Sequence, residues 1–275
     1  MKTSVVVTTR NTEFYIQDLL DSLISQIVKP HEVIVVDAES TDRTQQYVKA
    51  YTKEYPWIKL FVKKGTRAQG RNHGAKQATG DIVAFIDADA IANAFWIQEL
   101  EKSLEKADVV AGKEIRFGMS GLSNLPRVEI IHKGVDVTYP SVNLAYKKSV
   151  FDAIDGFDPW FKEAEELDLN YRAVDKGYTL VYNENAIVYH RARESIFGFL
   201  KQSFWYGFGR KELTLKHGDL WPNYSPIEMV KIQKGESLWK LVRLGIAFFG
   251  YMLCKLVGKH TDTKERLRNS TMSDR

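Results

Sequence analysis

Five short, nearly uninterrupted apolar runs punctuate the first 112 residues: Ser4–Val7, Val33–Val36, Ile58–Val62, Ile82–Ile86 and Val109–Ala111. Each is rich in β-branched residues and lacks the alternation of a strand with one wet face. Such runs read as strands buried on both sides. Between the first two, Tyr15, Ile16, Leu19, Leu20, Leu23, Ile24 and Ile27 recur at three- and four-residue spacing, the stripe of an amphipathic helix. Ser40 stands where it would cap a helix over Thr41–Tyr55, and Gly80 where a helix over Arg67–Thr79 would stop. Phe95–Leu104 is a fourth helical stretch. Strands alternating with helices predict an α/β fold, a mostly parallel sheet with helices on both faces. Ligands of such sheets bind beyond the carboxyl ends of the strands, so the residues that follow each strand matter most.

The cadence breaks after residue 112. Gly118, Gly121, Pro126, Gly134 and Pro140 punctuate Lys113–Pro140, which reads as a loop, an accessory hairpin or a lid. Order returns with Ser141–Tyr146, helical patterns over Lys147–Ile154 and Glu163–Lys176, and strand patterns over Thr179–Tyr182 and Ala186–Tyr189. Residues 195–251 then hold 12 of the 33 aromatics, in helical rather than strand-like patterns. The expected division is a sheet-bearing domain over 1–194, in two halves of 1–112 and 113–194, and a helical C-terminal extension over 195–275.

Composition narrows the function. A chain of 275 residues with 44% apolar and 27% charged residues has enough apolar surface for a sizeable core. Its net charge of +4 permits a phosphate-bearing ligand or an anionic surface without demanding nucleic acid. Cys254 is the one cysteine, so an intrachain disulfide and CxxC metal frameworks are excluded. That fits a reducing compartment. The apolar run at the N-terminus is too short for a signal peptide, so a cytoplasmic location is expected. No glycine follows the first strand, which ends Thr8-Thr9-Arg10-Asn11, so the dinucleotide fingerprint is missing. Gly65 and Gly70 have P-loop spacing, but Arg71-Asn72 replace the Lys-Ser/Thr that a P-loop needs.

The strand ends carry the chemistry. Asp37 directly ends the second apolar run and is suited to accept hydrogen bonds from a base or a ribose. Asp87 and Asp89 follow the fourth run one residue apart; adjacent carboxylates repel unless a cation joins them, and oxygen-rich sites suit Mg²⁺ or Mn²⁺. Arg71 lies in a helix between those two strands, where a diphosphate role is open to it. Gly70 and Gly74, four apart, would let that helix approach the sheet closely. Glu163, Glu165, Glu166 and Asp168 open a later helix, either as dipole-stabilising acids or as a general base. His190 ends the last strand pattern, either as a structural histidine or as a metal ligand opposite the DxD.

Five blocks in order resemble family 2 glycosyltransferases of the GT-A fold. They are Val5-Val6-Val7-Thr8-Thr9-Arg10-Asn11; Asp37-Ala38-Glu39-Ser40-Thr41-Asp42-Arg43-Thr44; Arg71-Asn72-His73-Gly74-Ala75 with Gly80-Asp81; Asp87-Ala88-Asp89; and Glu165-Glu166-Leu167-Asp168-Leu169 with Arg172, Gly177 and His190. The resemblance implies a Rossmann-like GT-A domain and inverting transfer of one sugar from a nucleoside-diphosphate sugar. Asp37 would bind the base and Asp87 the ribose, with Thr8, Arg10, Arg71 and Ala88 in the same donor site. Asp89 and His190 would hold a divalent metal, Mn²⁺ or Mg²⁺. Glu166, or else Glu165, would be the base; the family usually has Asp where this chain has Glu166. The QxxRW motif of processive synthases is absent, which favours a single transfer.

Two other readings stay open. Asp87-Ala88-Asp89 also resembles the nucleophile motif of haloacid-dehalogenase-type phosphotransferases, although that motif belongs on a first strand and position 91 is Ile91. A non-catalytic nucleotide-sugar binding module would keep Asp37 and Asp89 without needing an acidic pair at Glu166. The tail adds a membrane question. The uncharged stretch Leu244–Cys254 is 11 residues, about 16 Å of helix, where a span needs about 20. Lys240, Arg243 and Lys255 fall on one arc, opposite Leu241, Val242, Ile246, Phe249, Leu253 and Leu256. That layout predicts a helix lying on the cytoplasmic leaflet, near a lipid-linked, glycan or small-molecule acceptor, or else one packed on the domain or in a dimer.

Overall fold

The computed structural model describes residues 1–118, 129–191, 196–218 and 238–258. Its centre is an eight-stranded sheet ordered β3-β2-β1-β4-β9-β6-β10-β5. The strands are β1 (Thr3–Thr9), β2 (Glu32–Asp37), β3 (Ile58–Val62), β4 (Ile82–Asp87), β5 (Ala90–Ala92), β6 (Val109–Phe117), β9 (Leu144–Lys147) and β10 (Leu180–Arg191); β7 (Ile131–His132) and β8 (Val135–Asp136) form a separate hairpin. Strands β1 to β4 pair in parallel, as do β6 and β10. Only β9 and β5 run the other way. The carboxyl ends of six strands therefore share one edge of the sheet.

Alternation along each strand assigns the two faces. Val5, Val7, Val33 and Val35 pack under α1 (Ile16–Ile24), α2 (Thr44–Glu54) and α4 (Trp96–Leu104), whose apolar stripes fill that layer. On the other face lie α3 (Arg67–Gln77), α5 (Lys148–Ala153) and the later part of α6 (Glu165–Asp175). Here α3 sits so low that a Cβ on Gly74 would come within 2.4 Å of Val6 Cγ1, and one on Gly70 within 2.9 Å of Thr8 Cγ2. The glycine pair is what admits the helix, as its spacing suggests. Phe85, Phe151 and Phe157 close this layer with ring centroids 5.1–5.8 Å apart.

Three local expectations change. Ser40 does not cap α2: the helix starts at Thr44, and Ser40 is drawn back onto Asp37 instead. The region after Lys113 continues β6 as far as Phe117 and then supplies the β7–β8 hairpin; residues 119–128 of that region lie outside the described residues. The two late strand patterns are one strand, β10, whose register against β6 shifts between Asn183 and Ile187. The β5 strand carries no signal of its own in the sequence, being three residues of Ala-Ile-Ala.

By contacts the chain forms two compact units. The first holds the sheet and its helices. The second holds residues 159–168 together with α7 (Ile196–His217) and α8 (Leu238–Gly258). Within it α7 and α8 cross where both are reduced to backbone: a Cβ on Gly207 would meet the Ala247 carbonyl oxygen, and one on Gly250 the Phe204 carbonyl oxygen. Among the described residues no helix is long and apolar enough to cross a membrane.

Candidate active site

At the shared edge the loops after β1 and β2 are tied together. Asn11 adopts a left-handed backbone, and its side-chain oxygen accepts from Thr41 N at 2.8 Å while its own N–H donates to Ser40 Oγ at 2.8 Å. Thr12 N donates to Thr44 Oγ1, and Glu13 pairs with both the backbone and the guanidinium of Arg43. The fully buried Asp37 anchors this knot. It accepts from Ser40 N at 2.8 Å and Gln45 Nε2 at 2.7 Å on one oxygen, and from Ser40 Oγ at 2.5 Å on the other. A carboxylate offers about four acceptor positions, and these bonds take three of them. Thr8 stands level with Asp87, and Thr9 with Asp37, in the sheet register. Arg10, just beyond, is exposed.

Asp87 ends β4, with Ala88 buried behind it. Arg71 reaches it from α3: Nη2 donates to Asp87 Oδ1 at 2.9 Å, and the guanidinium is only 3% exposed. Arg71 is thus a buried partner of Asp87 rather than a freely presented phosphate clamp. The next residue of the same motif, Asn72, exchanges two hydrogen bonds with the backbone of Phe157, at 2.7 and 2.9 Å. Arg172 donates to the carbonyls of Ile154 and Gly156. These bonds clamp a turn in which Asp155 and Gly156 are both left-handed.

Immediately after Asp89 the chain turns into β5, which pairs Ala90 with His190. That pairing brings the imidazole to the acidic pair: His190 Nε2 lies 3.3 Å from Asp89 Oδ1. One ligand atom each from Asp87, Asp89 and His190 all lie within 4.8 Å of one another. Burial alone would lower the His190 pKa, but hydrogen bonds to Asp89 and Glu114 and the Asp87 charge outweigh it and raise it to about 10. Two carboxylates and an imidazole, partly exposed at a strand edge, are a donor set that fits Mn²⁺ or Mg²⁺. An ion there would replace the Nε2 proton.

The acidic segment that opens α6, as far as Asp168, belongs to the second unit. Glu165 is 3% exposed, whereas Glu166 is half-buried. Asp168 is fully buried and accepts from His217 Nε2 at 2.7 Å and Lys216 Nζ at 2.8 Å, both at the end of α7. Lys162 N donates to Glu212, and the Lys162 ammonium lies over the rings of Trp205 and Phe208. The segment is therefore braced by α7. Gln45, Asn72 and Glu114 escaped the sequence reading. Only Asn72 stood inside a motif; Asn72 and Glu114 meet Phe157 and His190 far away along the chain, whereas Gln45 meets Asp37 from just beyond the motif that Asp37 opens.

Residues 4–163, more than half of the chain, match the profile described as glycosyl transferase family 2. The chain belongs to that family. A member from Haloferax volcanii, the glucosyl-dolichyl phosphate glucuronosyltransferase, is 30% identical over 250 residues, covering 78% of each chain. The pre-mycofactocin glycosyltransferase of Mycobacterium tuberculosis is 26% identical over 237 residues, covering 78% of this chain and 48% of its own. The chain spans about half the length of this and several other curated relatives. The fold is that of a mannosyltransferase from Pyrobaculum calidifontis solved with GDP-Man and Mn²⁺, with a TM-score of 0.65 at 16% identity over 99% of this chain and 79% of that one. The expected GT-A architecture with a helical C-terminal part is thus observed. Asp87 ends the fourth strand of the domain and not its first, which removes the structural basis for the phosphotransferase reading.

Proposed function

We propose that this family member transfers one sugar from a nucleoside-diphosphate sugar to an acceptor hydroxyl, with inversion at the anomeric carbon. The observation that carries the reading is the convergence of Asp87, Asp89 and His190 at the carboxyl edge of a parallel sheet. The neighbour solved with GDP-Man and Mn²⁺ supports a donor and a divalent ion of this kind. Asp89 and His190 would hold the ion, with Asp87 shared between it and the ribose. When bound, the ion neutralises charge developing on the diphosphate leaving group.

The chain's own residues account for the rest. Asp37 offers its remaining acceptor position to the base, in a loop held by Ser40 and Gln45. Thr8, Arg10 and Ala88 line the same edge. Arg71 holds Asp87 from beneath. Glu166 takes the proton of the acceptor hydroxyl as that oxygen bonds to the anomeric carbon, and the bond from that carbon to the diphosphate breaks with its electron pair leaving on the diphosphate. The greater exposure of Glu166 favours it over the buried Glu165. In this assignment residues 1–194 are the catalytic domain, with 1–112 serving the donor and 113–194 the acceptor.

The acceptor we assign is lipid-linked, with the enzyme peripheral on the cytoplasmic face of the membrane. The apolar face that α8 leaves exposed supports this, as does the glucosyl-dolichyl phosphate in the relative's name. The test is a thermal-shift panel of nucleotide sugars with Mn²⁺, followed by transfer of labelled sugar from the stabilising donor to polyprenyl-phosphate-linked and soluble acceptors. Stabilisation without transfer or hydrolysis would leave a binding module. No stabilisation by any nucleotide sugar would overturn the reading.

A further inference from the structure

One carboxylate beside this site has no place in the reaction so far. Glu114 lies on β6, with its side chain 14% exposed. His190 Nδ1 is 2.7 Å from Glu114 Oε1, on the side of the ring away from Asp89. Arg116 fixes that carboxylate from two directions, Nε to Oε1 at 2.9 Å and Nη2 to Oε2 at 3.3 Å. The sheet register builds the contact. Val188 stands opposite Glu114 and His190 opposite Arg116, so the three side chains share one face as diagonal neighbours. The register that does this begins after the irregularity in β10, where Asn183 faces Gly112 but Ile187 faces Lys113. Those three extra residues are an odd number, so they turn His190 onto the face of Glu114.

Glu114 is not one of the three groups whose ligand atoms lie within 4.8 Å of one another, so the geometry sets it behind the imidazole and not on the ion. Arg116, which can only donate, donates to both oxygens of Glu114, so the carboxylate stands as an acceptor on each. It therefore accepts from the imidazole as well, and Nδ1 is the nitrogen that keeps its proton. Nε2 is then the nitrogen left to face Asp87 and Asp89.

We propose that Glu114 is a positioning residue of the metal site, acting through His190 to fix the ring's orientation and present Nε2 to a divalent cation. This rests on the metal reading above. A metal-bound histidine commonly donates its second N–H to a carboxylate, and loss of that partner typically costs about 10–100-fold in metal affinity.

The test uses the full chain, without donor, so that activity is not the readout. Mn²⁺ affinity is taken from the free-ion EPR signal for wild type, Glu114→Ala, Glu114→Gln and His190→Ala. Coordination by the imidazole is read as ¹⁴N coupling to Mn²⁺, and the tautomer by ¹⁵N NMR of the Mg²⁺-saturated chain. Glu114→Ala is expected to weaken Mn²⁺ about 10–100-fold and to lose the single Nδ1–H tautomer. Glu114→Gln, whose amide oxygen still accepts from Nδ1, should keep the tautomer and lose less than about tenfold. It also serves as the test if the alanine variant does not fold. Unchanged affinity in both Glu114 variants, or an affinity loss with the His190 coupling and tautomer intact, would overturn the proposal. A wild-type chain that binds no Mn²⁺ would instead overturn the metal reading beneath it.

Discussion

The guanidinium of Arg71 joins the end of β4 to the phenylalanine layer packed on it: it donates to Asp87 Oδ1 at 2.9 Å and lies 5.5 Å from the centroid of the Phe157 ring. A hydrogen bond to a charged group contributes about 1.5–3 kcal/mol, and the partial exposure of Asp87 places this one toward the lower end. Arg71→Gln is expected to lower unfolding stability by about 2 kcal/mol, measured by urea denaturation. Arg71→Lys keeps the charge but not the planar stacking on Phe157, so it should lose about half as much. Equal stability of all three chains would show that the contact contributes nothing.

The glycine spacing in α3 predicts a sharper effect. With only 2.4 Å between a Cβ on Gly74 and Val6 Cγ1, Gly74→Ala must push the helix off β1 or displace a buried valine. Overpacking of this kind costs about 1–3 kcal/mol. Gly245→Ala, at an open position of α8 with nothing within 4 Å of its Cβ, should instead stabilise by about 0.5–1 kcal/mol through helix propensity. A loss at both sites, or at neither, by chemical denaturation would refute this account of the close approach.

What the sequence disclosed follows from where its signals reside. The runs at Val5, Val33 and Ile82 are strands because burial on both faces demands unbroken apolar residues, a local signature. Asp87, Asp89 and His190 were legible because each ends such a run. Glu114 was not, since its pairing depends on a three-residue irregularity in β10, some seventy residues further along the chain. β5 was invisible too, because Ala90–Ala92 has no strand propensity of its own and pairs only because β10 offers an edge. Ser40 misled for a related reason. Its hydroxyl suits a helix cap, but the carboxylate of Asp37 stood closer.

Acid should expose the role of Glu32. This buried carboxylate accepts from Lys59 Nζ, from Thr79 N and Oγ1, and from Ser4 Oγ, at 2.7–2.8 Å. Burial pushes its pKa up, yet those partners prevail and lower it from 4.5 to about 2. A folded pKa below the unfolded one means the stabilisation is complete above about pH 4.5 and is lost as pH falls toward 2. The difference is worth about 3 kcal/mol. Glu32→Gln should be less stable near neutrality and show a shallower fall in stability between pH 4.5 and 2. Parallel pH profiles of the two chains would contradict this.

The two adjacent acids that open α6 should separate kinetically. Glu166→Gln keeps the shape and removes the basicity, so turnover should fall at least about a hundredfold while donor affinity holds. Glu165→Gln, at a buried position, should act mainly on stability. A Glu166→Gln loss confined to acceptor KM would mark that residue as positioning the acceptor and not as its base.

The last expectation concerns α8. Its Gly250 and Cys254 face inward, and Gly250 meets the α7 backbone at Phe204. Leu241, Phe248, Phe249, Leu253 and Leu256 are left exposed, Phe249 by 63%. Their spacing of three, four and seven residues makes one continuous apolar stripe. A single exposed leucine needs no explanation, but a stripe this long on a helix whose uncharged stretch, Leu244–Cys254, is too short to span a bilayer has the form of an interfacial helix. Lys255 is exposed and Arg243 partly so, which adds attraction to anionic headgroups; the further cations Lys259, Lys264, Arg266 and Arg268 lie outside the described residues. The full chain should float with liposomes containing anionic lipid, and less so as salt rises. Replacing Phe248 and Phe249 together by Glu removes two rings, each worth about 1.5–3 kcal/mol when buried, so the membrane-bound fraction should fall at least tenfold. Both rings are half or more exposed, so the melting temperature should barely move. If variant and wild type float equally, or if neither floats, the stripe is not a membrane contact; a wild type that instead sediments as a dimer, with the double variant monomeric, would identify a second copy of α8 as its cover.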